Sequence, residues 1–63
     1  MIVYAVEFNP CIYESEWGVI ELYGNEETAK QMLEVHSKEY LNLVNREAKV
    51  YEKWRVEPYE VKP

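Results

Sequence analysis

The change from strand to helix falls within residues 17–29, WGVIELYGNEETA. Residues 17–23 are rich in β-branched and aromatic side chains, which favour a β-strand. Gly24 ends this pattern, and Asn25 can accept backbone N–H bonds as the N-cap of a helix. The two glutamates that follow are well placed for the positive end of a helix dipole. These residues therefore predict a strand over about 17–23 and a helix that begins near residue 26.

Downstream of this point, apolar side chains recur at three- and four-residue steps, as on one face of an amphipathic helix. The positions are Ala29, Met32, Leu33, His36, Tyr40, Leu43 and Val44. No Gly or Pro occurs between Asn25 and Glu57, and Val50 and Tyr51 continue the same stripe. We therefore expect one long helix over about 26–51, whose end extends beyond the sheet and leaves apolar positions uncovered.

Two further strands are predicted, one at each end of the chain. Residues 2–8, IVYAVEF, are apolar on both faces, which is typical of a central strand. Residues 54–61, WRVEPYEV, form the third strand, and Pro58 places it at an edge because proline donates no ladder hydrogen bond. A bulge near Pro58 would keep all four of its large apolar side chains inward. In the strand at 17–23, strict alternation puts Val19 on one face and Leu22 on the other.

Short connections then specify the fold class. We expect a single α+β domain over residues 1–63, of order ββαβ, with a three-stranded antiparallel sheet in strand order 2-1-3. The one long helix packs on one face of this sheet. A single helix cannot cover both faces, so the other face is expected to display apolar side chains.

The stretches LYGNEETA (22–29) and WRVEPYEV (54–61), together with the first hairpin, resemble a group of short phage and bacterial proteins. These are uncharacterised domains with the same element order, and the resemblance covers most of the chain. It implies a phage or mobile-element setting, and it supplies no catalytic residues.

Composition and charge exclude several classes of protein. The 63 residues have a net charge of −5, which argues against direct nucleic-acid binding through a basic face. All six acidic residues among the first 29 are glutamate, and no Lys or Arg accompanies them. Cys11 is the only cysteine, so no intrachain disulfide can form, and no apolar run is long enough to cross a membrane. We therefore expect a cytoplasmic protein, in a host cell if it is phage-encoded.

Catalytic and metal-binding residue patterns are absent from the sequence. His36 is the only histidine, and its place on the apolar stripe favours a packing role. With Cys11 it lacks any recognised metal-ligand or nucleophile spacing. We expect no enzyme activity, no cofactor and no metal site; a small enzyme that works across a dimer interface with His36 ranks last among the hypotheses.

Aromatic residues make up 14% of the chain, more than one helix can cover, and exposed Tyr and Trp dominate binding hot spots. The acidic first half is also suited to a solvated surface or to a basic partner. We therefore predict a protein-binding module, a phage-type inhibitor that presents an acidic surface to a host nucleic-acid-handling protein. The alternative is a homodimeric structural or adaptor protein that pairs through the uncovered sheet face. The predicted partner-binding residues are Glu7, Glu14, Glu16, Trp17, Glu21, Tyr23 and Tyr51.

Overall fold

The computed structural model of the chain describes residues 1–11, 13 and 15–62. Its elements in chain order are β1 (Ile2–Asn9), β2 (Gly18–Tyr23), α1 (Glu26–Val44) and β3 (Lys53–Glu60). The strands form one antiparallel sheet in the order β2-β1-β3, and α1 packs against it. The predicted α+β fold of order ββαβ, with strand order 2-1-3, is confirmed.

The core forms between the central strand and the helix. β1 is buried from its middle to its end, as expected for a strand with neighbours on both sides. Val6 and Ala29 are fully buried between the sheet and α1. The ring of Phe8 packs against Trp54 and Tyr40, with centroids 4.4 Å and 4.6 Å away. These contacts fix which face of the sheet α1 covers.

The start of α1 follows the sequence prediction. Asn25 has an extended backbone, and its Oδ1 accepts a hydrogen bond from the Thr28 N–H at 3.1 Å, as an N-cap does. Glu26 and Glu27 occupy the first turn, where carboxylates favour the helix dipole.

The predicted end of the helix near residue 51 is wrong, because α1 ends at Val44. Asn45 adopts the left-handed conformation, with φ 52° and ψ 47°, and this terminates the helix. Asparagine is one of the few residues besides glycine that enter this region readily, so the absence of Gly and Pro did not ensure continuation. Val50 lies outside the helix and is 98% exposed.

A bidentate ion pair closes the segment between α1 and β3. Arg46 Nη1 and Nη2 donate to the two carboxylate oxygens of Glu52, each at 2.9 Å. The Lys49 N–H and the Tyr40 hydroxyl also donate to Glu52, at 2.7 Å and 2.9 Å. The Glu52 side chain is 3% exposed. The bonds from Arg46, followed by that from Lys49, lower the pKa of Glu52 to about 2.

The predicted bulge near Pro58 is also wrong. β3 pairs with β1 in one continuous register, and Pro58 lies opposite Tyr4. Trp54 and Val56 therefore face α1, whereas Tyr59 faces away from it, because side chains alternate along a regular strand.

A bulge occurs in β2 instead. Glu21 pairs with Val6 and Val19 pairs with Glu7, so Ile20 is the extra residue. The bulge changes the alternation along β2, and Val19 and Leu22 both lie on the side of the sheet opposite α1. The predicted placement of these two side chains on opposite faces is therefore wrong.

Candidate protein-interaction surfaces

The side of the sheet that α1 does not cover is called the open face here. Paired residues of an antiparallel sheet point to the same side, so the β1 residues that alternate with Phe8 define it. Its described side chains are Val3, Ala5, Glu7, Asn9, Val19, Leu22, Lys53, Arg55, Glu57 and Tyr59.

A buried carboxylate lies at the centre of the open face. Glu7 is 2% exposed, and its Oε1 accepts a hydrogen bond from Arg55 Nε at 2.6 Å. The Tyr59 hydroxyl donates to its other oxygen. The bond to Glu7 is the main cause that raises the pKa of both Arg55 and Tyr59. The negative charge of Glu7 is therefore matched within the chain and is not displayed to solvent.

Trp17 covers the outer side of this ion pair. The guanidinium carbon of Arg55 lies 4.0 Å from the centroid of the Trp17 ring, which is a cation–π contact. Trp17 and Arg55 are each part-exposed. Trp, Tyr and Arg are the residue types most enriched in binding hot spots. Trp17, Arg55 and Tyr59 are called the open-face cluster below: Glu7 binds Arg55 and Tyr59 directly, and Trp17 packs on Arg55.

Two aliphatic side chains lie beside the open-face cluster. Val19 and Leu22 are 54% and 53% exposed, although their strand belongs to the sheet that forms the core. The open face is therefore mixed, with an ion pair at its centre and apolar side chains along β2. The apolar side chains expected on this face are present along β2, whereas the ion pair at its centre is not expected from the sequence.

On the other side of the sheet, a groove of about 200 Å³ separates α1 from β2. Three aromatic side chains, Phe8, Tyr40 and Trp54, line it, with Ile20 on the β2 side. Leu43 lines it from α1 and is 85% exposed. This α1–β2 groove combines an aromatic lining with an exposed aliphatic rim.

Polar groups lie at one end of the α1–β2 groove. His36 and Glu39 line it, and His36 Nε2 is hydrogen-bonded to the Tyr23 hydroxyl at 2.8 Å. Burial raises the pKa of Tyr23, and the nearby carboxylates of Glu21 and Glu39 raise it further. Of these two carboxylates, Glu39 lines the groove and Glu21 lies on the same side of the sheet, opposite Val6.

The residues predicted to bind a partner are dispersed over the structure. Trp17 belongs to the open face, where it contacts Arg55, the ion-pair partner of the buried Glu7. Glu21 is exposed on β2, and its Oε1 accepts the Leu22 N–H at 3.3 Å. Tyr23 is half-buried against His36 on the helix side.

Three further predicted residues lie in connecting segments. Glu16 is exposed in the segment before β2, where its N–H donates to the Tyr13 carbonyl at 3.2 Å. Tyr51 is exposed between α1 and β3. Glu14 lies outside the described residues. Of the predicted residues that the structure describes, only Glu7 and Trp17 lie together on the open face.

Arg55 and Tyr59 are the residues that the sequence reasoning missed. A signal for them existed: Glu7 interrupts an apolar strand and needs buried donors, and Arg55 and Tyr59 have the same parity on the neighbouring strand. The assumed bulge near Pro58 concealed this, because it turned Tyr59 toward the helix.

Cys11 and the acidic residues are the remaining candidates for a thiol or metal site. Cys11 is half-buried, and its N–H donates to Asn9 Oδ1 at 3.0 Å. Within residues 1–11, 13 and 15–62, no group of three or more His, Cys, Asp or Glu side chains is arranged to hold a metal ion. In the same part of the chain, no helix has the length and apolar character needed to cross a membrane.

No protein-family model matches the chain, and comparison with curated proteins and with solved structures also gives no match. A proposal for function therefore depends on the surfaces described above.

Proposed function

We propose that this chain is a non-catalytic protein-interaction module that pairs with a second copy of itself through the open face. The observation that carries the proposal is the exposure of Val19 and Leu22 beside the open-face cluster. Exposed aliphatic side chains next to ordered Trp, Arg and Tyr side chains are typical of an interface centre.

Charge favours a second copy as the occupant. Among the described strand residues of the open face, Lys53 and Arg55 carry two positive charges and Glu7 and Glu57 carry two negative charges, so these charges balance. The chain as a whole has a net charge of −5 and repels its own copies elsewhere. Two molecules therefore meet with the least repulsion through their open faces.

Size supports the same arrangement. Only four hydrophobic residues among those described are buried in the single chain, Ala5, Val6, Phe8 and Ala29, so its core is small. A stable interface covers roughly 800 Å² on each partner, which is about a sixth of the 4925 Å² surface of this chain. Two-fold symmetry is the commonest form of self-association, and it lets one such face serve both partners.

Sedimentation velocity at micromolar concentrations tests the proposal. The wild-type protein is expected to sediment as a dimer and the Leu22→Lys variant as a monomer, because the new ammonium groups would lie in the interface. The control is Val35→Lys, which changes an equally apolar, exposed position on α1 away from the open face and should remain dimeric. A monomeric wild type, or a dimer that Leu22→Lys leaves intact, would contradict the proposal.

A second candidate function is inhibition of a host nucleic-acid-handling protein by an acidic surface. The exposed carboxylates of Glu16 and Glu21 favour it, whereas the ion pair of Glu7 removes one of the charges on which it was based. Pull-down from a host lysate at low and high salt, with the bound proteins identified by mass spectrometry, tests it. Salt-sensitive recovery of nucleic-acid-handling proteins is expected, and recovery of only acidic or neutral proteins would contradict it.

A further inference from the structure

The α1–β2 groove lies on the opposite side of the sheet from the open face. A partner held there would not compete with a second copy of the chain.

The size of the groove limits what it can bind. Its volume of about 200 Å³ is below the roughly 300–1,000 Å³ of small-molecule and cofactor pockets. Its aromatic lining and the exposed rim side chains of Ile20 and Leu43 are suited to one large apolar side chain.

The charges around the groove determine which residues of a partner can flank the inserted apolar side chain. Glu39 lines the groove, and Glu21 lies on the same side of the sheet, because it pairs with Val6 next to the extra residue Ile20 that lines the groove. No Lys or Arg is among the described residues that line the groove. The Nε2 atom of His36 is already hydrogen-bonded to the Tyr23 hydroxyl. Arg46, which lies beside Tyr40, is already paired with Glu52, so an incoming Lys or Arg finds Glu39 without a competing cation among the described lining residues.

We infer that the α1–β2 groove binds a basic segment of a partner protein, by inserting one large apolar side chain between α1 and β2. Lysine or arginine residues beside that side chain pair with Glu39 and Glu21. Charge complementarity selects this occupant over the two others. A second copy of the chain would bring its own excess of negative charge, and nucleic acid would bring phosphates toward carboxylates.

NMR titration of the full chain with synthetic peptides tests this inference. The peptides contain one Leu, Met or Phe flanked on both sides by Lys and Arg. Amide shifts are expected at Ile20, Glu39 and Leu43, with saturation at micromolar to millimolar peptide. Two matched panels provide controls: one replaces the basic residues with Glu, and the other replaces the large apolar residue with Ala. Both are expected to bind at least about tenfold more weakly.

Variants of the protein locate the binding. Leu43→Ser and Glu39→Lys are each expected to weaken binding of the basic peptides about tenfold. Both positions are exposed, so the variants should fold. Val35→Ser and Glu34→Lys, on the outer side of α1, are the matched controls and should bind as the wild type does.

The outcome is independent of self-association. Leu22→Lys, which is designed to dissociate the dimer, should retain peptide binding, so failure of either proposal is distinguishable from failure of the other. The inference is overturned if the acidic panel binds as tightly as the basic one, if the shifts map to the open face, or if no basic peptide shifts these amides at millimolar concentration.

Discussion

Glu7 illustrates how one charged side chain organises a face of this protein. A carboxylate buried to this degree costs free energy unless charged or neutral donors satisfy it. Arg55 and Tyr59 supply those donors from β3, far away in the sequence but adjacent in the sheet. Trp17 then packs over Arg55. The fixed positions of the side chains in the open-face cluster therefore depend on Glu7, which is almost fully buried.

Replacing Glu7 with Gln should lower the melting temperature by several degrees, because it leaves Arg55 with only the more distant and more exposed carboxylate of Glu57 as a charged partner. Thermal unfolding followed by circular dichroism measures this. Glu57→Gln is the matched control, since Glu57 lies farther from Arg55 Nε, at 3.7 Å, and is more exposed. Equal melting temperatures for the two variants would show that the Glu7 pair contributes no more than an exposed one.

The ionised carboxylate of Glu52 should make the free energy of unfolding depend on pH in the acid range. Its pKa falls from the ordinary value of 4.5 to about 2 in the folded protein. A lowered carboxyl pKa stabilises the fold fully above the unfolded-state value, and this contribution is lost as the pH falls from about 4.5 toward 2.

Urea unfolding at a series of pH values measures this effect. The wild type should be more stable than Glu52→Gln at neutral pH, and the difference should shrink across that acid range. Glu47→Gln, in the same segment, should follow the wild-type curve. If the wild type remained more stable than Glu52→Gln by the same free energy of unfolding at the lowest pH, the role given to Glu52 would be contradicted.

At the scale of elements, the length of α1 depends on one backbone conformation. Asn45 is the only residue other than glycine in the described chain with a positive φ. Its left-handed conformation stops the helix and turns the chain so that Arg46 reaches Glu52. The apolar stripe on the surface of the helix therefore ends at Val44, although apolar residues recur at similar spacing later in the sequence.

Substitutions at Asn45 should separate the backbone requirement from side-chain chemistry. Asn45→Ala should lower the free energy of unfolding by about 1 kcal/mol, because alanine enters the left-handed region at a cost. Asn45→Gly should match or exceed the wild type, since glycine adopts this conformation freely. Urea unfolding measures both, and Asn42→Ala, on the exposed face of α1, controls for loss of an asparagine side chain. Equal stability of the Ala and Gly variants would contradict the assignment.

At the scale of the whole molecule, the two sides of the sheet differ in charge and in cover. The helix side is packed around Phe8 and leaves a groove with carboxylates at one end. The open face has balanced charges among its described strand residues, and in the described part of the chain no helix covers it. A protein of this size has little stability to spare, so association should contribute measurably to folding.

Self-association through the open face should make stability depend on protein concentration. The melting temperature of the wild type should rise as the concentration is raised, because binding favours the folded form by mass action. Leu22→Lys should melt at one temperature at all concentrations, whereas Val35→Lys should behave as the wild type does. Calorimetry over a hundredfold or wider concentration range checks this. A wild type with no such dependence would argue against the dimer.

Local sequence signals determined which elements form and in what order. The β-branched strands, the Asn25 N-cap and the two-sided apolar character of β1 act among neighbouring residues, so they could be predicted. They were sufficient for the ββαβ order and for β1 at the centre of the sheet.

Only the tertiary structure decided which side chains share a surface. The bulge at Ile20 brought Val19 and Leu22 to one face, and the continuous register of β3 turned Tyr59 toward Glu7. Pairing register is a non-local property, and one residue of slip reverses the face of every side chain beyond it. For the same reason, the sequence shows how many glutamates the first half of the chain contains but not which of them are buried. In the structure, Glu7 is buried, whereas Glu16 and Glu21 are exposed.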